Sequence, residues 1–196
     1  MKNIDFYKDV ESIVLKDKLG AFLGVDEDFT YTFKDAVKLS GHSCPTVAGA
    51  YLMTLKALKE LYKDELPVRG EIRVELRDAK SAGTTGVLAN VASFITGAKE
   101  EDGFKGLQGQ YFRNNLLKYE APIKGEMRFT RLDNSKSVEV MYDLSNVVLS
   151  GFDGSLMQKG LQKTATKDEL ETFGVAWQQR VKEILLKHKD DVVKFI

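Results

Sequence analysis

Leu39-Ser40-Gly41-His42-Ser43-Cys44-Pro45-Thr46-Val47-Ala48-Gly49-Ala50-Tyr51-Leu52-Met53 holds the only cysteine of the chain and one of its two histidines. Pro45 suits the first position of a helix, where its missing N–H is not needed. Cys44 therefore falls at the N-cap. Cysteine is a poor cap beside Ser, Thr, Asp or Asn, which points to another task for the thiol. The positive end of a helix dipole favours thiolate, the form that attacks or binds metal. His42 can supply a base, a cation or a second ligand. Alternate side chains of an extended segment point the same way, so both groups can face one pocket. Nitrogen and sulfur donors suit zinc or another divalent transition metal. The same pair could form an activated nucleophile, with Cys44 and His42 catalytic. A packed, inert turn is the third reading, since free cysteines are usually buried.

Outward from this stretch, Pro45 to Tyr62 is the clearest helix. Val47, Tyr51, Leu52, Leu55, Leu58 and Tyr62 form its core stripe, and Lys56, Lys59 and Lys63 mark the wet side. Gly49 and Ala50 allow another backbone to come close. Gly70 to Arg77 alternates, with Ile72, Val74 and Leu76 on one face, as in a half-buried strand. A helix follows over Val87 to Ile95, closed by Thr96-Gly97. Two strands, Gly125 to Leu132 and Ser137 to Asp143, flank the hairpin turn Asp133-Asn134-Ser135-Lys136.

At the N-terminal end, Asn3 to Lys18 reads as a helix on the spacing of Phe6, Val10, Ile13 and Val14, capped by Asn3 or Asp5 and ended by Gly20. Tyr31 to Leu39 is a short helix or strand. In the tail, Gly151 and Gly154 bound a loop, and Thr166 with Glu169 makes a capping box. The last helix then runs from about Lys167 to Lys194, with a possible break at Gly174. Leu170, Phe173, Trp177, Val181, Ile184 and His188 share its stripe, and His188 has its polar end in water.

These elements do not alternate regularly, so the fold class is α+β: a mixed, mostly antiparallel sheet flanked by helices. Residues 1–150 form the core domain and 151–196 a C-terminal helical extension packed on the core or on a partner. The 196 residues are 43% hydrophobic, and 29 basic side chains balance 29 acidic ones. That balance gives no reason to expect nucleic acid or an anionic membrane as partner. One cysteine excludes an internal disulfide and a cysteine-based zinc finger, and a reduced, cytoplasmic setting fits best. Neither a signal peptide nor an apolar run near the ~20 residues of a membrane span is evident.

Gly41-His42-Ser43-Cys44-Pro45 and the small-residue helix after it resemble the FmdE-like family of formylmethanofuran dehydrogenase proteins, whose members open on a Gly-His-x-Cys-Pro motif. Three further segments are similar in order and spacing. They are Asn90-Val91-Ala92-Ser93-Phe94-Ile95-Thr96-Gly97-Ala98, Gly103-Phe104-Lys105-Gly106-Leu107 and Arg128-Phe129-Thr130-Arg131-Leu132-Asp133-Asn134. The resemblance, over about Phe33 to Asp143, implies a thioredoxin-like α+β core with a metal, most often zinc, at the motif His and Cys. Some members carry a C-terminal zinc finger or accompany a molybdenum or tungsten redox enzyme. This chain lacks the finger's cysteines, has Ala98 in place of a second family cysteine, and has Asn90 and Ser93 where the family has Asp and Gln. The metal at His42 and Cys44 would therefore be weakly held.

Other candidates lie in loops. Asp78 could be a hard metal ligand or orient His42. Its alternative is a surface ion pair with Arg77. Thr84 and Thr85, before a helix, could receive an anion, though they lack the Lys of a phosphate loop and read first as a cap. Lys105 among glycines could meet a substrate carboxylate or phosphate. The functional expectation is a small-molecule-binding protein with a His-x-Cys site, either a metal-dependent or thiolate enzyme or a non-catalytic module or accessory component of a redox enzyme. Phe173, Trp177 and Phe195 need cover that a small sheet domain does not offer, so a homodimer is expected. Light scattering at micromolar concentration checks it: a mass of two chains is the expected result, and a mass of one refutes it.

Overall fold

The computed structural model describes residues 5–196. Asn3, one of the two proposed N-terminal caps, lies outside them. A 3-10 turn, Asp5–Asp9, leads into strand β1 (Ile13–Lys16), helix α1 (Lys18–Phe22) and strand β2 (Asp28–Tyr31). The expected long N-terminal helix is therefore corrected. Ile13 and Val14 are β-branched and favour a strand, and β1 pairs antiparallel with β2. A short apolar run of this kind fits either period. Gly20 does not end a helix but sits inside α1, whose N-cap Asp17 accepts from the Leu19 and Gly20 amides.

Helix α2 (Phe33–Ser40) starts with a Thr32/Asp35 capping box and ends at Gly41, whose φ of 72° no β-branched residue would tolerate. Helix α3 (Pro45–Tyr62) follows with Cys44 as its N-cap, as the sequence implies. Then come β3 (Ile72–Leu76), α4 (Thr85–Thr96), β4 (Leu117–Lys118), β5 (Met127–Arg131) and β6 (Ser137–Tyr142). The tail holds α5 (Gly154–Leu161), α6 (Lys167–Lys182), a π-helical turn at Glu183–Lys187 and β7 (Val193–Phe195).

The five-stranded sheet has the order β4-β3-β5-β6-β7, parallel only between β3 and β4. The α+β class with a mixed, mostly antiparallel sheet is thus as expected. The tail differs from the long helix that the stripe suggested. α6 stops at Lys182, and after the π turn the chain enters the sheet as β7. Asp190 and Asp191 would oppose the dipole of a continuing helix, and Val192 and Val193 bury themselves against β6 instead. The loop expected between Gly151 and Gly154 is present, and α5 begins at its end, capped by Asp153, which accepts from Ser155 N at 2.8 Å.

One sheet face presents Val74, Leu76, Met127, Phe129 and Val140, all fully buried, to the helices. The other carries a row of charges across four strands. Glu75 stands opposite Lys118 and Arg128, and Arg128 stands opposite Glu139. Arg128 Nε and Nη2 give Glu75 a two-pronged pair at 2.8 and 2.9 Å. Glu75, at the centre of the row, is buried, and the opposite charges across the strands compensate it.

A second charge cluster is buried. Asp17 Oδ1 takes Arg113 Nη2 at 2.6 Å and Asp17 Oδ2 takes Arg69 Nη1 at 3.1 Å. This joins the β1–α1 corner to the loop before β3 and the loop before β4. Burial is the largest influence on the Asp17 carboxyl and pushes its pKa up. The Gly20 amide, Arg113 and Arg69 together outweigh it, and the net pKa is lowered. A lowered folded-state pKa gives stability that is present above the unfolded value of about 4 and is lost as pH falls through the folded value. Asp17→Asn is expected to cost about 3 kcal/mol near neutrality and to make acid unfolding less steep below about pH 4. Urea melts across that range check both. An unchanged acid slope in the variant would show that other carboxylates carry the loss.

Candidate functional site

Helix α3 sets the position of Cys44. It packs on α4, β5, β6 and β7, and its C-terminal end is held by Arg131 from the inner face of β5. Arg131 Nη1 donates to the Leu61 carbonyl at 3.2 Å, and the guanidinium lies 3.9 Å from the centre of the Tyr62 ring. At the other end Gly49 makes room for an aromatic ring. A Cβ there would come 2.7 Å from Tyr142 Cδ1. The close approach expected at Gly49 is thus real, but the neighbour is a side chain of β6 and not a backbone.

Cys44 is partly buried, and its Sγ accepts from Val47 N at 3.4 Å. His42 is exposed on the bend between α2 and α3. Its Nδ1 lies 2.9 Å from the Ser40 carbonyl. A carbonyl only accepts, so Nδ1 carries a proton. In the neutral ring the lone pair is then on Nε2, the atom left for a ligand or a proton. Between them Ser43 is buried, with its carbonyl accepting from Trp177 Nε1 at 3.0 Å and Gln178 Nε2 at 3.4 Å. Tyr7 completes this wall by donating to Gln178 Oε1 at 3.2 Å. Burial raises the Tyr7 pKa, against a lowering influence of Ser43.

Two further groups face this corner with hydrogen-bonding capacity to spare. The Tyr142 hydroxyl and Arg180 Nε are both buried without a partner. Burial lifts the Tyr142 phenol far above its ordinary range. The nearby Cys44 sulfur and Glu126 carboxylate add to that, while Arg180 pulls the other way. Tyr142 therefore lies within electrostatic reach of both Cys44 and Arg180. Arg180 is positioned by the Ser150 carbonyl at 2.9 Å and by the Phe152 ring below it.

The other candidate residues stand apart from this corner. Asp78 is exposed and takes Arg77 Nε and Nη2 at 3.3 and 3.2 Å, the surface pair that was its alternative reading. Thr84 occupies the N-cap of α4 without a side-chain cap bond, and Thr85 is buried. Lys105 is exposed. Among the described residues no hydrogen bond or ion pair joins Asp78, Thr84, Thr85 or Lys105 to His42 or Cys44, and no group of three or more His, Cys, Asp and Glu is placed to hold a metal. His188 is corrected too: its Nδ1 meets Asp191 at 3.1 Å and its Nε2 is buried without a partner, not in water.

Trp177 and Phe173 pack on Phe152, with ring centroids 5.4 to 5.7 Å apart. Two of the three aromatic residues that motivated a homodimer are therefore covered within the chain, and only Phe195 stays half exposed. Nothing in the sequence singled out Tyr7, Tyr142, Gln178 or Arg180, and Trp177 read as an aromatic in need of a partner's cover. Among the described residues no helix is long and apolar enough to cross a membrane. No protein-family model and no curated protein matches the chain.

The link from α6 to the cysteine corner can be measured. Trp177→Phe removes one hydrogen bond to Ser43 and is expected to cost about 1 kcal/mol in urea unfolding followed by circular dichroism. It is also expected to speed alkylation of Cys44 in the folded protein. An unchanged labelling rate would mean that α6 does not hold the corner shut.

Proposed function

We propose that this chain is a small metal- or ligand-binding protein of the FmdE-like type, whose working site is the His42–Cys44 corner at the start of α3. One observation carries the reading. The Ser40 carbonyl fixes the proton on His42 Nδ1 and leaves Nε2 free, the arrangement that neighbouring carbonyls give to metal-ligating histidines. The Cys44 sulfur, two residues on, has one amide donor and is only partly buried. Nitrogen and sulfur together suit zinc or a similar transition metal.

His42 and Cys44 would hold the metal, which would supply Lewis acidity. The chain offers two strong donors at this corner, while a closed structural zinc site takes four. The remaining positions would go to water or to a small-molecule ligand, which suits an open, exchangeable site. Tyr142, within electrostatic reach of the sulfur, and Arg180, within reach of Tyr142, have unpartnered polar atoms. They would orient an oxygen-bearing ligand there.

Cobalt titration of protein purified without an affinity tag tests the reading. Wild type is expected to develop thiolate-to-cobalt charge-transfer absorption, and Cys44→Ser to lose it. His42→Ala is expected to weaken binding by roughly tenfold or more, with the melting temperature of the metal-free protein nearly unchanged. No charge-transfer band in wild type, or full binding by Cys44→Ser, would overturn it.

A further inference from the structure

We propose a second binding site, for a small organic carboxylate on a flat apolar body, in the cavity between the start of α1, the turn before β3 and the loop 109–113. The cavity holds about 390 Å³, within the ordinary range for small-molecule sites. None of its lining residues belongs to the His42–Cys44 corner.

The charges on its wall do not cancel. Lys18 Nζ gives itself to Glu71 Oε1 at 2.7 Å, and that pair is neutral. Behind it Arg69 and Arg113 share the single carboxylate of Asp17. One positive charge is left over. Each nitrogen of Arg69 has a partner: Nη1 on Asp17, Nε on the Ile95 carbonyl at 3.2 Å and Nη2 on the Phe94 carbonyl at 3.2 Å. The guanidinium nitrogen left without a partner is on Arg113. This residue is only 6% exposed, and its Nη1 is buried with no hydrogen-bond partner. A buried donor left unpaired costs free energy that an entering anion would return. Burial depresses the Arg113 pKa, with Arg69 adding to that and Asp17 opposing it, as for a cation short of counter-charge.

Two glycines make room for that guanidinium. Gly70 (φ 82°) and Gly97 (φ 76°) both adopt left-handed backbone, and a Cβ on Gly70 would collide with Arg113. Leu19, Leu116, Tyr111, Phe112 and Leu132 supply the apolar part of the wall, with Gln110 beside them. Tyr111 stacks on Phe22 with ring centroids 5.4 Å apart, and Phe112 and Leu132 are 45% and 43% exposed at the rim. A buried guanidinium with an unpartnered nitrogen, beside aromatic and aliphatic side chains, matches a carboxylate on a planar ring better than a fully hydrated inorganic anion.

Calorimetric titration of the full chain with benzoate, benzamide and inorganic phosphate, at constant ionic strength, tests this. Benzoate is expected to bind, with benzamide at least roughly tenfold weaker because it lacks the charge. Leu132→Trp fills the cavity mouth without touching the buried charges and is expected to abolish benzoate binding. Arg113→Lys is expected to weaken it by roughly tenfold. Equal binding of benzoate and benzamide, benzoate binding that survives Leu132→Trp, phosphate binding without benzoate binding, or no benzoate binding at all would each overturn the proposal. Cobalt binding at Cys44 is read separately and is unaffected by either variant, so failure here leaves that site standing.

Discussion

The burial of helix α3 is the constraint on which the remaining structure depends. Thirteen of its eighteen residues are buried, on more than one face. A helix in that position cannot shift or rotate without opening several packed surfaces at once. Its polar groups are served from outside. The Tyr51 hydroxyl reaches the Glu11 and Tyr31 carbonyls at 2.8 and 3.0 Å, which ties β1 and β2 to the helix. Arg131 serves the far end and the Tyr142 ring seats on Gly49 near the start. The N-cap of this helix is Cys44.

Packing of this extent explains why a weak capping side chain is tolerated there. The N-cap normally contributes about 1 kcal/mol through a good oxygen acceptor. Here the helix is stabilised by tertiary packing along its whole length, so a sulfur acceptor at 3.4 Å suffices. The position is then open to a residue selected for reactivity or metal affinity. The same logic appears at α4, where Thr84 makes no cap bond with its side chain and the helix depends on packing against α2, α3 and β3. Exposed helices do the opposite: α6 is opened by a full Thr166/Glu169 capping box.

What could be read in the sequence follows from this division. Long periodic segments were legible. Pro45–Tyr62, the alternation at Ile72, Val74 and Leu76, the hairpin at Asp133–Lys136 and the box at Thr166 all stand as read. Short segments whose state depends on a distant partner were not. Ile13–Lys16 is a strand because β2 lies beside it, and Val193–Phe195 is one because β6 has a free edge. The same holds for the sites. His42 and Cys44 announce themselves as neighbours in sequence, and the free Nε2 does not, because it depends on where the Ser40 carbonyl points. Arg113, Arg69 and Asp17 are far apart in the chain, and only the fold shows that two guanidinium groups share one carboxylate.

The chain contains a single tryptophan, and it is Trp177, whose indole N–H binds the carbonyl of the residue next to Cys44. Indole emission depends on the polarity of its surroundings and on nearby quenchers. All tryptophan fluorescence of this protein therefore originates from one ring that leans on the cysteine corner. The molecule carries its own optical gauge of that corner, free of any background from a second indole. A change in the thiol's state, or the arrival of a heavy ion beside it, would register in the emission of the unlabelled native chain.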